Sequence, residues 1–94
     1  MEQAEISEHQ WKIYDCLIKG QRWMSNREIA EFTGVSLRRV GFHTKNLVQL
    51  GILDQAEVYP GHRFKVASKA EKRNFGYIQR LQQAGEIFGT HLAS

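Results

Sequence analysis

The sequence has few of the residues that mark several common classes of protein. It contains one cysteine, Cys16, and one proline, Pro60, in 94 residues. A single cysteine cannot form an intrachain disulfide, and its place in an apolar helical pattern predicts a buried, unreactive thiol in a reducing compartment. Because no stretch is rich in proline, glycine or serine, the sequence also excludes a low-complexity or disordered chain.

Long apolar runs are absent as well. No stretch approaches the ~20 apolar residues that a membrane-spanning helix needs. The first five residues, Met-Glu-Gln-Ala-Glu, carry acidic charge where an export signal would be basic. The sequence therefore predicts a soluble, cytoplasmic protein with no membrane partner.

The patterns of catalytic and metal sites are missing too. There is no nucleophile elbow, no paired-carboxylate site and no glycine-rich phosphate loop among the eight glycines. The four histidines are scattered, without the paired spacings that zinc sites use. We therefore predict no enzyme activity, no bound metal and no cofactor.

Basic charge is present but unevenly distributed. Residues 1–33 hold four basic and six acidic side chains, whereas residues 34–66 hold five basic and two acidic ones. Residues 67–94 add four basic and two acidic side chains, which brings the net charge to +3. This asymmetry favours a polyanionic partner, although many solvated surfaces carry a similar excess.

Three helices are predicted from capping residues and apolar spacing. Ser7 with Gln10 and Ser25 with Glu28 have the form of capping boxes, and Ser36 is a good N-cap. A glycine follows each apolar run and can take the left-handed conformation that ends a helix. The helices are expected at about residues 8–19, 26–33 and 37–50.

A β-hairpin should follow these helices. Residues 57–59 and 62–66 are predicted strands, and Arg22, Trp23 and Met24 form a short extended piece before the second helix. The strands join at Pro60-Gly61, which suits a type II turn. Because that turn matches hairpin twist poorly, we expect a bulged or longer loop there.

One further helix is expected at about residues 69–89, where Ser68 and Glu71 form a third capping-box pattern. The fold class is thus mainly α with a small β-hairpin. We expect one domain over residues 1–94, with a core unit at 8–67 and a C-terminal amphipathic helix at 68–94.

The segment from residue 25 to residue 53 has the order of a helix-turn-helix motif: a short helix, a tight turn at Thr33-Gly34-Val35 and a second capped helix. It resembles winged-helix transcription regulators of the MarR and ArsR type, over about residues 8–67. The stretches that carry the resemblance are Asn26-Arg27-Glu28-Ile29-Ala30, Val35-Ser36-Leu37-Arg38-Arg39-Val40 and Leu47-Val48-Gln49-Leu50-Gly51-Ile52-Leu53.

The resemblance implies a winged helix-turn-helix fold that binds double-stranded DNA. Its third helix would enter the major groove, and the hairpin would form a wing on the backbone or minor groove. With Val40, Thr44 and Leu47 inward, Arg38 is placed for a base edge or phosphate, and Lys45 for the backbone. The predicted DNA-binding residues are Ser25, Asn26, Ser36, Leu37, Arg38, Arg39, Gly41, Phe42, Lys45, Tyr59, His62 and Arg63.

Three of these assignments have alternatives. Phe42 stands where the family usually has a basic or polar residue; it could contact thymine methyl groups, but burial against the second helix or the wing is favoured. Ser25 and Asn26 could donate to phosphate, or act as caps. His43 is not among the predicted contacts, and we expect it to pack near the second helix.

The last helix carries apolar residues at spacings of three and four, similar to a coiled-coil seam. It could pack back on the first helix, but its length favours a homodimer. The predicted dimerisation residues are Phe75, Ile78, Leu81, Gly85, Phe88 and Leu92.

The function expected from these features is sequence-specific regulation of transcription, as a repressor that binds DNA as a homodimer. The sequence identifies no small-molecule effector. Two alternatives remain: a winged helix that binds proteins through Leu37 and Phe42, and a plasmid-partition or architectural DNA-binding protein.

Overall fold

The computed structural model describes residues 6–58 and 61–93, and the side chains to residue 89. Five helices and one two-stranded antiparallel sheet confirm the predicted fold class. No helix in these residues is both long and apolar enough to cross a membrane. The elements are, in chain order, α1 (Glu8–Gly20), α2 (Asn26–Thr33), α3 (Leu37–Gln49), β1 (Leu53–Val58), β2 (Gly61–Val66), α4 (Ala70–Arg73) and α5 (Phe75–Ala93).

The first three helices begin where their capping residues predicted. The side-chain oxygens of Ser7, Ser25 and Ser36 each accept a hydrogen bond from a backbone N–H three residues ahead. Gly34 ends α2 in the left-handed conformation (φ 76°), as predicted. At the end of α1, however, Gln21 rather than Gly20 takes that conformation (φ 50°), and its N–H bonds to the carbonyl of Leu17.

The hairpin is longer than predicted, because β1 begins at Leu53 and Gly61 belongs to β2, where it pairs with Val58. The expected loop conformation at Tyr59 and Pro60 lies outside the described residues. Met24 exchanges two backbone hydrogen bonds with Phe64, of 2.9 and 2.8 Å, which confirms the short extended piece before α2. The wing is thereby tied to the start of the helix-turn-helix.

One apolar core joins all these elements. Its most deeply buried residues come from α1, α2, α3, β1 and α5 and include Ile13, Leu17, Ile29, Val40, Leu47, Leu53 and Leu81. Thr44 is also fully buried, and its hydroxyl donates to Oδ1 of Asn26 at 2.9 Å. The Gly41 carbonyl of α3 is a second, longer acceptor at 3.3 Å, so the bond to Asn26 is the one that ties α3 to α2.

The C-terminal segment forms two helices, so the prediction of one continuous helix was wrong. Asn74 breaks it with a non-helical backbone (φ −153°, ψ 69°). Its Oδ1 accepts from the Tyr77 N–H, and its Nδ2 donates to the Leu50 carbonyl at the end of α3. The predicted cap at Ser68 is absent, since the N-cap of α4 is Lys69 and no side chain caps it.

Helix α5 packs back against α1. Ile78 and Leu81 are buried in the common core, and the Tyr77 hydroxyl donates to Oε1 of Gln10 at 2.5 Å. Gly85 lets the two helices approach, because a Cβ there would lie 2.8 Å from Nε1 of Trp11. Much of the predicted coiled-coil seam is therefore occupied within the chain.

Asn74→Ala should lower the free energy of unfolding by about 1 to 2 kcal/mol, because it removes the cap of α5 and a bond to α3. Ser68→Ala, at the cap that the sequence pattern favoured, should change it by less than ~0.5 kcal/mol. Urea denaturation of both variants measures this difference. Equal losses would show that Asn74 does not cap α5.

Candidate nucleic-acid interface

One side of helix α3 is buried in the core, and its other side is exposed to solvent. Val40, Thr44 and Leu47 are fully buried, while Arg38, Arg39 and Lys45 are exposed. A recognition helix needs this arrangement, because base edges are read by side chains that a rigid backbone positions. Within residues 37–49 the sequence has no acidic side chain, so the open side carries only positive charge.

Phe42 is 64% exposed, so the expectation that it is buried was wrong. The reason is helical geometry: Phe42 lies two residues from both Val40 and Thr44, which places it on the opposite side of a helix with about 3.6 residues per turn. Its ring meets the His43 ring edge-on, at 5.3 Å between centroids. Leu37, 49% exposed, is also on the surface, as predicted.

The N-terminus of α2 lies beside the wing. Ser25, Asn26 and Arg27 from one side and Gly61, His62 and Arg63 from the other line a cleft of about 410 Å³. Backbone N–H groups at a helix N-terminus attract anions, and basic side chains add to that attraction. The structure thus places four of the predicted DNA-binding residues, Ser25, Asn26, His62 and Arg63, around one cleft.

Both predicted donors at the start of α2 also have structural roles. Ser25 and Glu28 form a reciprocal capping box, with both bonds at 3.1 Å. Oδ1 of Asn26 accepts a hydrogen bond from the Thr44 hydroxyl. Its Nδ2 faces Gly41, where a Cβ would lie 3.8 Å from this nitrogen. The Asn26 amide therefore lies between the start of α2 and α3.

Arg27 belongs to this cleft, although sequence reasoning did not select it. It is exposed in the first turn of α2, where the helix dipole disfavours a cation. Arg38 and Arg39 have the same unfavourable placement in the first turn of α3, so the sequence held a signal that could have found Arg27. Tyr59 and the side chain of Leu92, both predicted site residues, lie outside the described residues.

The basic side chains of this surface are not neutralised by neighbouring acids. In the described part of the chain, the ion pairs are Lys19–Asp15, Arg22–Glu28 and Arg73–Asp54. None involves a basic residue of α3, Arg27 or Arg63. A hydrogen bond from the Ser25 backbone, with help from Arg22, lowers the pKa of the Glu28 carboxyl, so this acid is already engaged within the chain.

His43 is half-buried on α3, and its expected packing near α2 stays a prediction. Burial lowers the pKa of its ring, and the neighbouring His9 of α1 and Arg39 lower it further. The Nδ1 atoms of His9 and His43 are buried without a hydrogen-bond partner among the described residues. Protonation of His43 is therefore disfavoured in the folded state.

A lowered pKa for His43 makes stability depend on pH. The unfolded chain takes up its proton near the ordinary value of 6.5, while the folded chain does so only at lower pH. The free energy of unfolding should therefore fall between about pH 7.5 and 5.5. His43→Gln should reduce this fall in urea titrations. The same fall in His43→Gln as in wild type would contradict the assignment.

Among the described residues, no group of three or more histidine, cysteine or acidic side chains is placed to hold a metal ion. The arrangement that does emerge is one exposed basic helix face, one helix N-terminus and one wing. These features suit the backbone and major groove of a nucleic-acid duplex.

Comparison with solved structures shows the same fold. ST1889 from Sulfolobus tokodaii superposes with a TM-score of 0.65 and 14% identity, covering 93% of this chain and 84% of that protein. MarR from E. coli, in its oxidized form, gives 0.62 and 17%, covering 94% of this chain and 59% of MarR. PcaV from Streptomyces coelicolor, solved with its natural ligand, gives 0.62 and 17%, covering 89% and 63%.

These identities are low, and the chain spans only about three fifths of the length of MarR and PcaV. The similarity therefore establishes the fold, and not the ligands or partners of those proteins. No curated protein matches the sequence at a significant level.

A family profile decides the assignment. The profile described as winged helix-turn-helix DNA-binding matches residues 6–54, more than half of the chain, and includes α1, α2 and α3. The matched segment is the one in which α3 is buried on one side and basic on the other. The chain belongs to the winged helix-turn-helix DNA-binding family.

Proposed function

We propose that the protein is a sequence-specific regulator of transcription that binds double-stranded DNA as a homodimer. The observation that carries this proposal is the outer side of α3, where Arg38, Phe42 and Lys45 are exposed on a helix whose inner side is buried. Such a helix can lie in the major groove with its position fixed by the core.

Each part of the surface has a distinct role in this proposal. Arg38, in the first turn of α3 after the Ser36 cap, reaches a base edge, while Arg39 and Lys45 contact phosphates. Ser25, Asn26 and Arg27 at the start of α2 bind the backbone, and His62 and Arg63 on the wing do so on the other side of the cleft. Phosphate contacts supply most of the affinity, and α3 supplies the discrimination.

The homodimer would place two copies of α3 roughly 34 Å apart, which is one turn of B-DNA, and so requires a palindromic site. Within one chain, Ile78, Leu81 and Gly85 lie on the side of α5 that packs against α1. Phe88 is half-buried, with its ring 6.0 Å from the Trp11 ring of α1. Among the described side chains of α5, the exposed large apolar ones are Phe75 (59%) and Ile87 (69%), and they are available to a second copy. We place the dimer contact there, continuing toward Leu92.

Occupation of a promoter by such a dimer would block transcription, so repression in the cytoplasm is the simplest mode of action. Two other functions remain as outcomes of the same binding experiments. Salt-insensitive behaviour without any DNA complex would favour a protein-interaction module. Cooperative coating of tandem sites would favour a partition or architectural protein.

Arg38→Ala should weaken binding to a selected duplex by about 1 to 3 kcal/mol and relax sequence preference. Lys45→Ala should weaken binding to all sequences alike, and reduce the slope of log affinity against log salt by about one. Fluorescence anisotropy at several salt concentrations measures both effects.

Lys72→Ala, on the exposed surface of α4, is the matched control and should leave the affinity nearly unchanged. Unchanged affinity in both α3 variants would contradict the assignment of α3 as the recognition helix.

Sedimentation equilibrium at tens of micromolar protein tests the dimer. We expect twice the mass of one chain for the wild type, and a shift toward the monomer for Ile87→Glu, since a charge in an apolar contact is costly. The control Gln55→Glu, exposed on β1 and outside α5, should remain dimeric. A monomeric wild type would contradict the homodimer and leave DNA binding open.

A further inference from the structure

We propose that Phe42 makes the protein a reader of C5-methyl groups, so that its site requires a thymine or a 5-methylcytosine under the middle of α3. This inference rests on the proposed DNA-binding function and adds the chemical class of the base that is recognised. It starts from a large apolar side chain that the fold leaves 64% exposed on the most outward part of the recognition helix.

The chemistry of the major groove leaves one good contact for such a side chain. The base edges there present hydrogen-bond donors and acceptors, and the C5-methyl group of thymine is their apolar feature. A phenyl ring over a polar edge removes water from that edge and returns no hydrogen bond, which is unfavourable. Over a methyl group the same ring buries apolar surface on both partners.

The positive charge of the residues around Phe42 favours DNA, rather than an apolar protein surface, as its partner. Arg38 lies one turn before it and Lys45 one turn after it, both exposed, and Arg39 lies on the adjoining flank. No acidic residue occurs in residues 37–49. An apolar ring surrounded by cations matches a groove whose walls are phosphates and whose floor carries methyl groups.

The position of the ring is also defined. The Phe42 ring contacts His43, whose own ring is half-buried between α3 and α1. Gly41, next to Phe42, faces the Asn26 side chain, where a Cβ would lie 3.8 Å from Nδ2. The ring can therefore approach the floor of the groove on a well-anchored backbone.

The spacing to Arg38 predicts the arrangement of the site. Four residues of helix span about 6 Å along its axis, and base pairs are about 3.4 Å apart. Arg38 recognises guanine best, through O6 and N7. Each half-site should therefore contain a guanine and a methyl-bearing pyrimidine separated by about two base pairs.

The test uses the full chain and a duplex selected with it from random sequences. Each thymine is replaced in turn by deoxyuridine, which lacks only the C5-methyl group. At one position in each half-site, this replacement should weaken binding by roughly fourfold, the effect of one buried methyl group. A cytosine placed there should bind more weakly than 5-methylcytosine by a similar factor.

Two variants assign the effect to the ring. Phe42→Ala should bind thymine and deoxyuridine duplexes equally, because it has lost the contact. Phe32→Ala is the matched control: Phe32 is 69% exposed on α2 beside Arg22, away from α3, and its variant should keep the fourfold ratio. Circular dichroism of both variants checks that each one is folded.

The outcomes separate this inference from the proposed function. If duplexes are selected but no thymine discriminates against deoxyuridine, or if Phe42→Ala keeps the ratio, methyl reading is overturned and DNA binding stands. If no duplex is selected at any salt concentration, the proposed function fails and this inference fails with it. A Phe42→Ala variant that binds DNA normally but no longer captures a protein would place Phe42 in a protein contact, and would also overturn it.

Discussion

The packing of α2 against α3 through Thr44 and Asn26 is the constraint on which the rest of the structure depends. The Thr44 hydroxyl is fully buried and donates to Oδ1 of Asn26 at 2.9 Å, with the Gly41 carbonyl of its own helix as a longer second acceptor at 3.3 Å, so rotating the two helices apart would break the shorter bond. The same bond sets the N-terminus of α2 beside the open side of α3. The hydrogen bond between Thr44 and Asn26 therefore contributes both to core packing and to the shape of the candidate interface.

The wing and the last helix depend on this arrangement in turn. Phe64 is buried and pairs with Met24 immediately before α2, which places His62 and Arg63 across the cleft from Arg27. At the other end of α3, the Leu50 carbonyl accepts from Asn74, and α5 returns along α1. The proposed DNA-binding side and the proposed dimer contact are thus positioned from opposite ends of α3.

Local signals in the sequence predicted most of the fold, because caps and apolar spacing act within a few residues. Ser7, Ser25 and Ser36 begin their helices, and Gly34 ends α2, as predicted. The failures required tertiary knowledge. Ser68 has the same local pattern as Ser25, but Asn74 breaks the helix with a bond to the Leu50 carbonyl, a partner 24 residues away. Likewise, no local rule tells whether the seam of α5 meets α1 or another chain.

The central claim is that the outer side of α3 contacts DNA. The most direct measurement is the change in backbone amide NMR shifts when the protein is titrated with a selected duplex. We expect the largest changes in residues 37–45, with smaller ones at residues 25–27 and 61–63. Changes confined to α1 and α5, with residues 37–45 unaffected under conditions of tight binding, would contradict it.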